Sequence, residues 1–195
     1  MVGFIERFNP AVRKAKQMVD NGEIGKIVLA SAKRVSRWPE RIGDVGVIKD
    51  LAIHDIDIIS NLFGNEVEQV YAIAGSMTHK LEDYANITLS FKDGKSASIE
   101  ANWLTPRKIR RLTITGTEGI IQLEYITQEV TLENQRMSYT PFLNQEEPLK
   151  VELEYFLNAV SRGEAIHPSG EDGLTALRIC EAALKSAASH QLVSL

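Results

Sequence analysis

The chain has little cysteine, no excess of positive charge and no long apolar run. Its 195 residues include a single cysteine, Cys180, which excludes an intramolecular disulfide and is typical of a small buried residue in a reducing cytosol. The formal net charge of -4 gives no electrostatic reason to expect nucleic acid or an anionic membrane as a partner. The first residues are too polar for a signal peptide, and no segment approaches membrane-spanning length. We therefore expect a cytoplasmic protein.

Motifs that hold nucleotides or activate nucleophiles are also missing. The sequence has no Gly-x-Gly-x-x-Gly, no Walker loop and no nucleophile elbow. Gly43 and Gly46 flank a loop before a helix, but their spacing is wrong for a dinucleotide-binding turn. The residues alone therefore assign no cofactor site.

The order of predicted elements indicates an α+β fold. Val2–Ile5 has a strand pattern, Ala11–Val19 a helical one, and Lys26–Val35 alternates as a half-buried strand does. After Gly64 the pattern is almost wholly β, and two helices close the chain. The predicted strands are Val67–Gly75, Tyr84–Phe91, Ala97–Leu104, Ile109–Thr115, Ile120–Glu124 and Glu129–Glu133, and the helices are Leu149–Arg162 and Gly170–Leu192. Such an order predicts an open, mainly antiparallel sheet with helices packed on one face.

Asp50, His54 and Asp57 share one face of a helix predicted over Asp50–Phe63, because residues three and four apart are neighbours on a helix. A histidine held by carboxylates against apolar residues suits a proton acceptor near neutral pH. Asp50 could orient the imidazole or stabilise its protonated form, which would raise its pKa. Asp57 could instead pair with one of three arginines, Arg34, Arg37 or Arg41.

Two other interpretations of this helix stay open. His54 could be a buried histidine bonded to a neighbour, with the carboxylates on a solvated face. A metal site is weaker, since Asp and His at this spacing can bind zinc but no further histidine or cysteine cluster accompanies them. We therefore expect no metal.

The loop before this helix, Ser36–Gly46, contains Arg37, Trp38 and Arg41. Arginine beside an aromatic ring suits a phosphate- or sugar-bearing ligand, although a polar surface loop is the alternative. A basic run, Arg107, Lys108, Arg110 and Arg111, is interpreted as a solvated edge strand or a subunit contact.

Several short motifs follow one another along the chain in a recognisable order. They are Gly3-Phe4-Ile5-Glu6-Arg7-Phe8-Asn9-Pro10, Gly22-Glu23-Ile24-Gly25-Lys26-Ile27, Asp50-x-x-x-His54-x-x-Asp57, Asp83-Tyr84-Ala85 and Ile114-Thr115-Gly116-Thr117-Glu118-Gly119. Taken in order, these segments resemble the C-terminal domain of the Gfo/Idh/MocA oxidoreductases, the relatives of glucose–fructose oxidoreductase and inositol dehydrogenase. The segments around Trp38-Pro39 and Asp50-Leu51-Ala52-Ile53-His54-Asp55 look most like UDP-N-acetylglucosamine 3-dehydrogenases and related nucleotide-sugar enzymes.

The resemblance implies a two-domain NAD(P)-dependent sugar dehydrogenase. An N-terminal Rossmann domain would hold NAD or NADP, and the open sheet would supply the sugar or nucleotide-sugar site and the contacts of a homo-oligomer. By resemblance, His54 would be the acid/base catalyst and Asp50 would support it. The substrate would lie near Arg7, Arg37, Trp38, Arg41 and Asp57.

This sequence departs from the family pattern because the Rossmann domain and its Glu-Lys-Pro lysine are missing. Residues 1–8 are interpreted as a remnant of the last Rossmann strand, and residues 9–195 as the open-sheet domain. The alternative is a non-catalytic sheet domain that binds a sugar or self-associates without a cofactor.

Overall fold

A nine-stranded sheet organises the part of the chain that the computed structural model describes, residues 1–40, 43–64 and 66–195. The helices are α1 Pro10–Asp20, α2 Ile53–Phe63, α3 Pro148–Arg162 and α4 Gly170–Ser189. A 3₁₀ helix covers Ile5–Phe8, and a π-helical segment covers Ile48–Ala52. The strands are β1 Ile27–Arg37, β2 Val67–Gly75, β3 Tyr84–Phe91, β4 Ser96–Asn102, β5 Leu104–Gly116, β6 Gly119–Glu124, β7 Glu129–Asn134, β8 Ser138–Tyr139 and β9 Val193–Ser194.

The strand order is β8-β7-β6-β5-β1-β4-β3-β2-β9, and only the β1–β4 pair is parallel. One face carries the buried core and the helices, and the other face is open. The predicted α+β architecture, an open and mainly antiparallel sheet, is confirmed.

Local sequence explains where the helices begin and end. Asn9 accepts a hydrogen bond from the Ala11 amide at 3.0 Å, and Pro10 stands at the first helical position of α1. Ser169 and Asp172 form a reciprocal capping box at the start of α4. Gly64 ends α2 with a φ of 67°, a left-handed conformation that glycine adopts without strain.

One expectation for the first part of the chain was wrong. Val2–Ile5 lies outside the described strands, and the chain turns at Ile5–Phe8 into a 3₁₀ helix. The half-buried strand predicted over Lys26–Val35 is confirmed as β1. Its buried face includes Ala30, Ala32 and Arg34, whereas Leu29 on the other face is 41% exposed.

Within the described residues, no helix has the length and apolar character needed to cross a membrane.

Candidate functional site

The helix that carries Asp50 and His54 begins irregularly. Residues Ile48–Ala52 form a π-helical segment that continues into α2, so the single α-helix predicted over Asp50–Phe63 is wrong at its first turn. Single π-helical turns occur frequently at functional sites. Glu82 supplies acceptors at this helix start, because its carbonyl oxygen accepts from the Val47 amide at 2.9 Å and its carboxylate from the Ile48 amide at 3.3 Å.

His54 is half-buried and neutral. Its Nδ1 atom is buried, with no hydrogen-bond partner among the described residues, and its ring meets Phe4 edge to face at 6.2 Å between centroids. Burial lowers the pKa of His54 to about 4, and the positive charge of Arg34 acts in the same direction. The expectation that the pKa would be raised is therefore wrong, and near neutral pH the imidazole is uncharged.

A buried ionic cluster adjoins His54 in the chain and in space. Arg34, only 1% exposed, donates from Nε and Nη2 to the two carboxylate oxygens of Asp55, at 2.7 and 3.1 Å. Its Nη1 donates to Glu6 Oε1 at 2.9 Å, and its guanidinium lies 4.8 Å from the centroid of the Tyr125 ring. These contacts join the 3₁₀ helix, β1 and α2, so they hold the helix of His54 against the sheet.

Arg110 belongs to the same cluster, although its basic run had been interpreted as an edge or a subunit contact. Its Nη1 donates to Glu6 Oε1 at 3.1 Å, the oxygen that Arg34 also contacts. Burial and the neighbouring Arg34 lower the pKa of Arg110, while the carboxylates of Glu6, Asp55 and Asp50 oppose that shift. Arg110 therefore stands within the electrostatic range of both Asp50 and His54.

Asp57 pairs with Arg7 rather than with Arg34 or Arg37. Arg7 donates from Nε and Nη2 to Asp57 at 2.8 and 2.6 Å, and Nη2 also donates to Asp172 at 3.0 Å. Burial raises the pKa of Asp57 to about 6, although its bonds to Arg7 act against this. The triad ties the 3₁₀ helix, α2 and the start of α4 together.

Trp38 is part of an aromatic cluster. His79 stacks on it at 3.4 Å between centroids and 16° between planes, and Trp103 meets it edge to face at 4.6 Å. Trp103 is 3% exposed, as expected for packing in the sheet. Arg37 is exposed and donates to the Pro106 carbonyl at 3.2 Å, and Arg41 lies outside the described residues.

The turn that presents His79 is built around a buried carboxylate. Asp83, fully buried, accepts from the amides of Met77, Thr78 and His79 and from the Thr78 hydroxyl, at 2.7 to 3.3 Å. Burial raises the pKa of Asp83, but the Thr78 and Met77 amides outweigh it, so the pKa lies below its usual range. Neither His79 nor Asp83 was singled out as a site residue in the sequence.

The structure thus brings Asp50 and His54 together with Arg34, Asp55 and Arg110, the last three of which sequence reasoning did not select. Arg34 could have been found, because a charged residue in phase with Ala30 and Ala32 occupies a core position. No group of three or more histidine, cysteine or acidic side chains is placed to hold a metal ion in the described ranges.

Comparison with known proteins agrees with this fold. A family profile described as the GFO/IDH/MocA C-terminal domain matches residues 12–122. Inositol 2-dehydrogenase of Rhizobium meliloti (strain 1021) is 30% identical over 218 residues, which cover 100% of this chain and 64% of that protein. UDP-N-acetylglucosamine 3-dehydrogenase of Acidithiobacillus ferrooxidans is 25% identical over 194 residues, which cover 94% of this chain and 60% of that protein.

A solved structure of levoglucosan dehydrogenase in complex with NADH and levoglucosan has a TM-score of 0.88 and 25% identity to this chain. The match covers 100% of this chain and 65% of that one. The fold is that of an open-sheet domain shared with these oxidoreductases. The chain belongs to the Gfo/Idh/MocA family and corresponds to its C-terminal domain. It spans between 60% and 65% of the length of these three relatives.

Proposed function

We propose that this chain is the substrate-binding part of an NAD(P)-dependent dehydrogenase that oxidises a hydroxyl of a sugar or nucleotide sugar. One observation carries the proposal: His54 is kept neutral by burial and by Arg34, one helical turn from Asp50. An imidazole in that state can accept the proton that a hydroxyl loses on oxidation. A ligand hydroxyl near the ring could also satisfy its unpartnered Nδ1.

The other predicted site residues have supporting roles in this proposal. Asp50 would orient the substrate hydroxyls beside His54. Arg7 and Asp57 are already bonded to each other at 2.6 to 2.8 Å, so they would position α2 against the first residues of the chain. Arg37, Trp38 and Arg41 would bind the part of the substrate farthest from the reacting carbon.

The cofactor needs residues that this sequence does not contain. No glycine-rich strand–turn–helix is present to cradle dinucleotide phosphates, so the chain does not fit NAD(P) by itself. We assign the dinucleotide to the Rossmann domain that the family resemblance implies, with residues 1–8 leading out of it. When bound there, the nicotinamide would supply the hydride acceptor. We also propose that the protein is located in the cytoplasm.

Self-association through the open sheet face is the second part of the proposal. On this face Leu29, Tyr71 and Ile73 are 41%, 37% and 52% exposed. Short polar side chains from neighbouring strands lie beside them in register, including Thr88 and Ser98. A flat surface of this kind can pack against a second copy, and the same observation favours the non-catalytic alternative, a self-associating sheet domain.

The test is turnover of the complete dinucleotide-dependent enzyme that carries these residues, measured as the rate of NAD(P)H formation. His54→Asn should lower kcat by about 100-fold or more with each accepted substrate, because it removes the proton acceptor. The substrates to compare are myo-inositol, UDP-N-acetylglucosamine and levoglucosan.

His190→Asn is the matched control, since His190 is exposed and caps the far end of α4 in a left-handed conformation that asparagine tolerates. It should leave turnover unchanged. Unaltered turnover of His54→Asn across the pH range would show that His54 is not the acid/base group.

A further inference from the structure

The basic run on β5 is divided between the two faces of the sheet. Arg111 is exposed and donates to Glu124 at 3.0 Å on the open face. Arg110 turns to the helix side and contacts Glu6 at 3.1 Å. Lys108 precedes the last regular pair of this ladder, and the charges of Arg110, Glu6 and Arg34 all act on its ammonium group. Arg110 therefore points toward the candidate site, and Lys108 lies within the electrostatic range of the same ionic cluster.

Arg110 and Lys108 lie on β5 alongside the part of β1 that leads from Arg34 to Trp38. Arg110 lies opposite Arg34 and Ile109 opposite Val35, but the register then shifts and the next pair is Arg37 with Leu104. Lys108 therefore lies in the irregular segment between these two pairs, where Arg37 also donates to the Pro106 carbonyl at 3.2 Å. The two paired strands therefore lead from the Arg34–Arg110 pair to the end of β1, which Trp38 follows directly.

We propose that Lys108 and Arg110 form a phosphate-binding subsite, and that a planar ring of the same ligand packs against Trp38 and His79. This inference rests on the proposed function and deepens it, because it names a phosphate-bearing ligand with a ring. A nucleotide sugar would place its sugar at His54, its diphosphate at the cations and its base on the aromatic rings. A dinucleotide has the same chemistry and is the other possible source.

Charge and stacking support this assignment. Arg110 donates through Nη1 to Glu6 Oε1, the oxygen that Arg34 also contacts, and a guanidinium has further donors that suit a phosphate. The charge of Arg110 lowers the pKa of Lys108, as expected for an ammonium in a positive potential. Bases and aromatic side chains stack favourably, and Asp83 fixes the turn that carries His79.

The experiment is calorimetric titration of the purified chain with UDP-N-acetylglucosamine, UDP, N-acetylglucosamine and NAD. UDP and UDP-N-acetylglucosamine should bind, with affinity falling as salt is raised. Lys108→Ala and Arg110→Ala should each weaken binding by about tenfold or more, because a charged hydrogen bond to phosphate is lost. Arg111→Ala, on the same strand and the opposite face, should leave binding unchanged.

Tryptophan fluorescence gives a second measure of ligand binding at the aromatic rings. The chain has two tryptophans, Trp38 and Trp103, and both belong to the cluster, so intrinsic fluorescence should change when UDP binds. His79→Phe should preserve UDP affinity by keeping a stacking ring, and His79→Ala should weaken it.

The outcomes separate the subsite from the proposed function. Binding of NAD with no binding of UDP would make the dinucleotide the source of the phosphate. Lack of binding by every phosphate ligand, or equal loss in Arg111→Ala, would overturn the subsite. Turnover of myo-inositol by the complete enzyme would then still support the proposed function. Conversely, UDP binding that depends on Lys108, with no sugar oxidation by the complete enzyme, would leave the subsite standing and refute the dehydrogenase assignment.

Discussion

At the scale of single residues, the state of His54 follows from its surroundings rather than from its neighbours in sequence. Arg34 is fixed by Asp55 and Glu6, and its charge disfavours a second cation nearby. Because the folded state disfavours a protonated His54, acid that protonates this imidazole lowers the free energy of unfolding.

This gives a prediction for stability against pH. Since the pKa of His54 falls to about 4 on folding from 6.5, the unfolded chain binds the proton first, and stability is lost as pH falls from 6.5 toward 4. Between about pH 7 and pH 5, wild type should lose about 1–2 kcal/mol relative to His54→Asn. Urea unfolding at the two pH values measures the difference.

Asp57 acts in the opposite sense, because folding raises its pKa from 3.8 to about 6. Its contribution to stability is full below pH 3.8 and is lost as pH rises through 6. Wild type and His54→Asn both contain Asp57, so the difference between the two proteins cancels its contribution. An imidazole resonance of His54 that titrates at or above its ordinary pKa of 6.5 in NMR spectra would contradict the prediction.

At the scale of elements, the turn over 76–79 and the start of the π-helical segment depend on two adjacent acidic residues. Asp83 holds the turn through backbone amides, and Glu82 binds the amides of Val47 and Ile48. A Cβ at Gly46 would lie 2.0 Å from the Glu82 carboxyl carbon, so a larger residue there would displace the Glu82 side chain that binds the Ile48 amide. The loop that carries His79 therefore also locates the helix that carries His54.

Asp83→Asn should loosen this turn while keeping the shape of the side chain. The asparagine side chain has no charge and one acceptor oxygen instead of two, so fewer backbone amides are satisfied. We therefore expect a loss of about 1–3 kcal/mol in the free energy of unfolding. The Trp38–His79 contact should open, which would shift tryptophan emission to longer wavelength. Urea unfolding and fluorescence spectra are the measurements.

Asp20→Asn is the control, because Asp20 is an exposed residue paired with Lys16 at 2.5 Å. Its removal should cost less than about 0.5 kcal/mol. Equal destabilisation by the two substitutions would mean that the buried carboxylate has no special role in the turn.

At the scale of the whole molecule, the described chain leaves the open face of the sheet uncovered. A row of side chains crosses it in register from Tyr71 on β2 through Thr88, Ser98 and Ser31 to Thr113 on β5. Most of these residues are short and polar, so a second copy could approach closely.

We therefore predict that the chain is a homo-oligomer through this face. Ser98→Arg, at the centre of the row, should convert it to a monomer of 21.7 kDa in light scattering, since a long charged side chain would be buried without a partner. Lys185→Glu on exposed α4 should leave the mass unchanged. A wild-type chain that is monomeric at every concentration tested would refute the prediction.

Most helices and strands could be predicted from the sequence, because hydrophobic period, caps and turn residues are local signals. It predicted α1 and α4, the β2–β3–β4 strands and the α+β class, and its ordered motifs indicated the family. Asp50 and His54 could be selected in the same way, because their spacing lies within one helix.

Which charges meet could not be predicted from the sequence. Arg34 pairs with Asp55 rather than Asp57, and Arg110 reaches Glu6 across 104 residues of sequence. Burial of His54 and the charge of Arg34 set the direction of the His54 pKa shift, and alternation along β5 separates Arg110 from Arg111. The physical reason is that burial and Coulomb interactions depend on distances through space, whereas periodicity records only which side of an element a residue occupies.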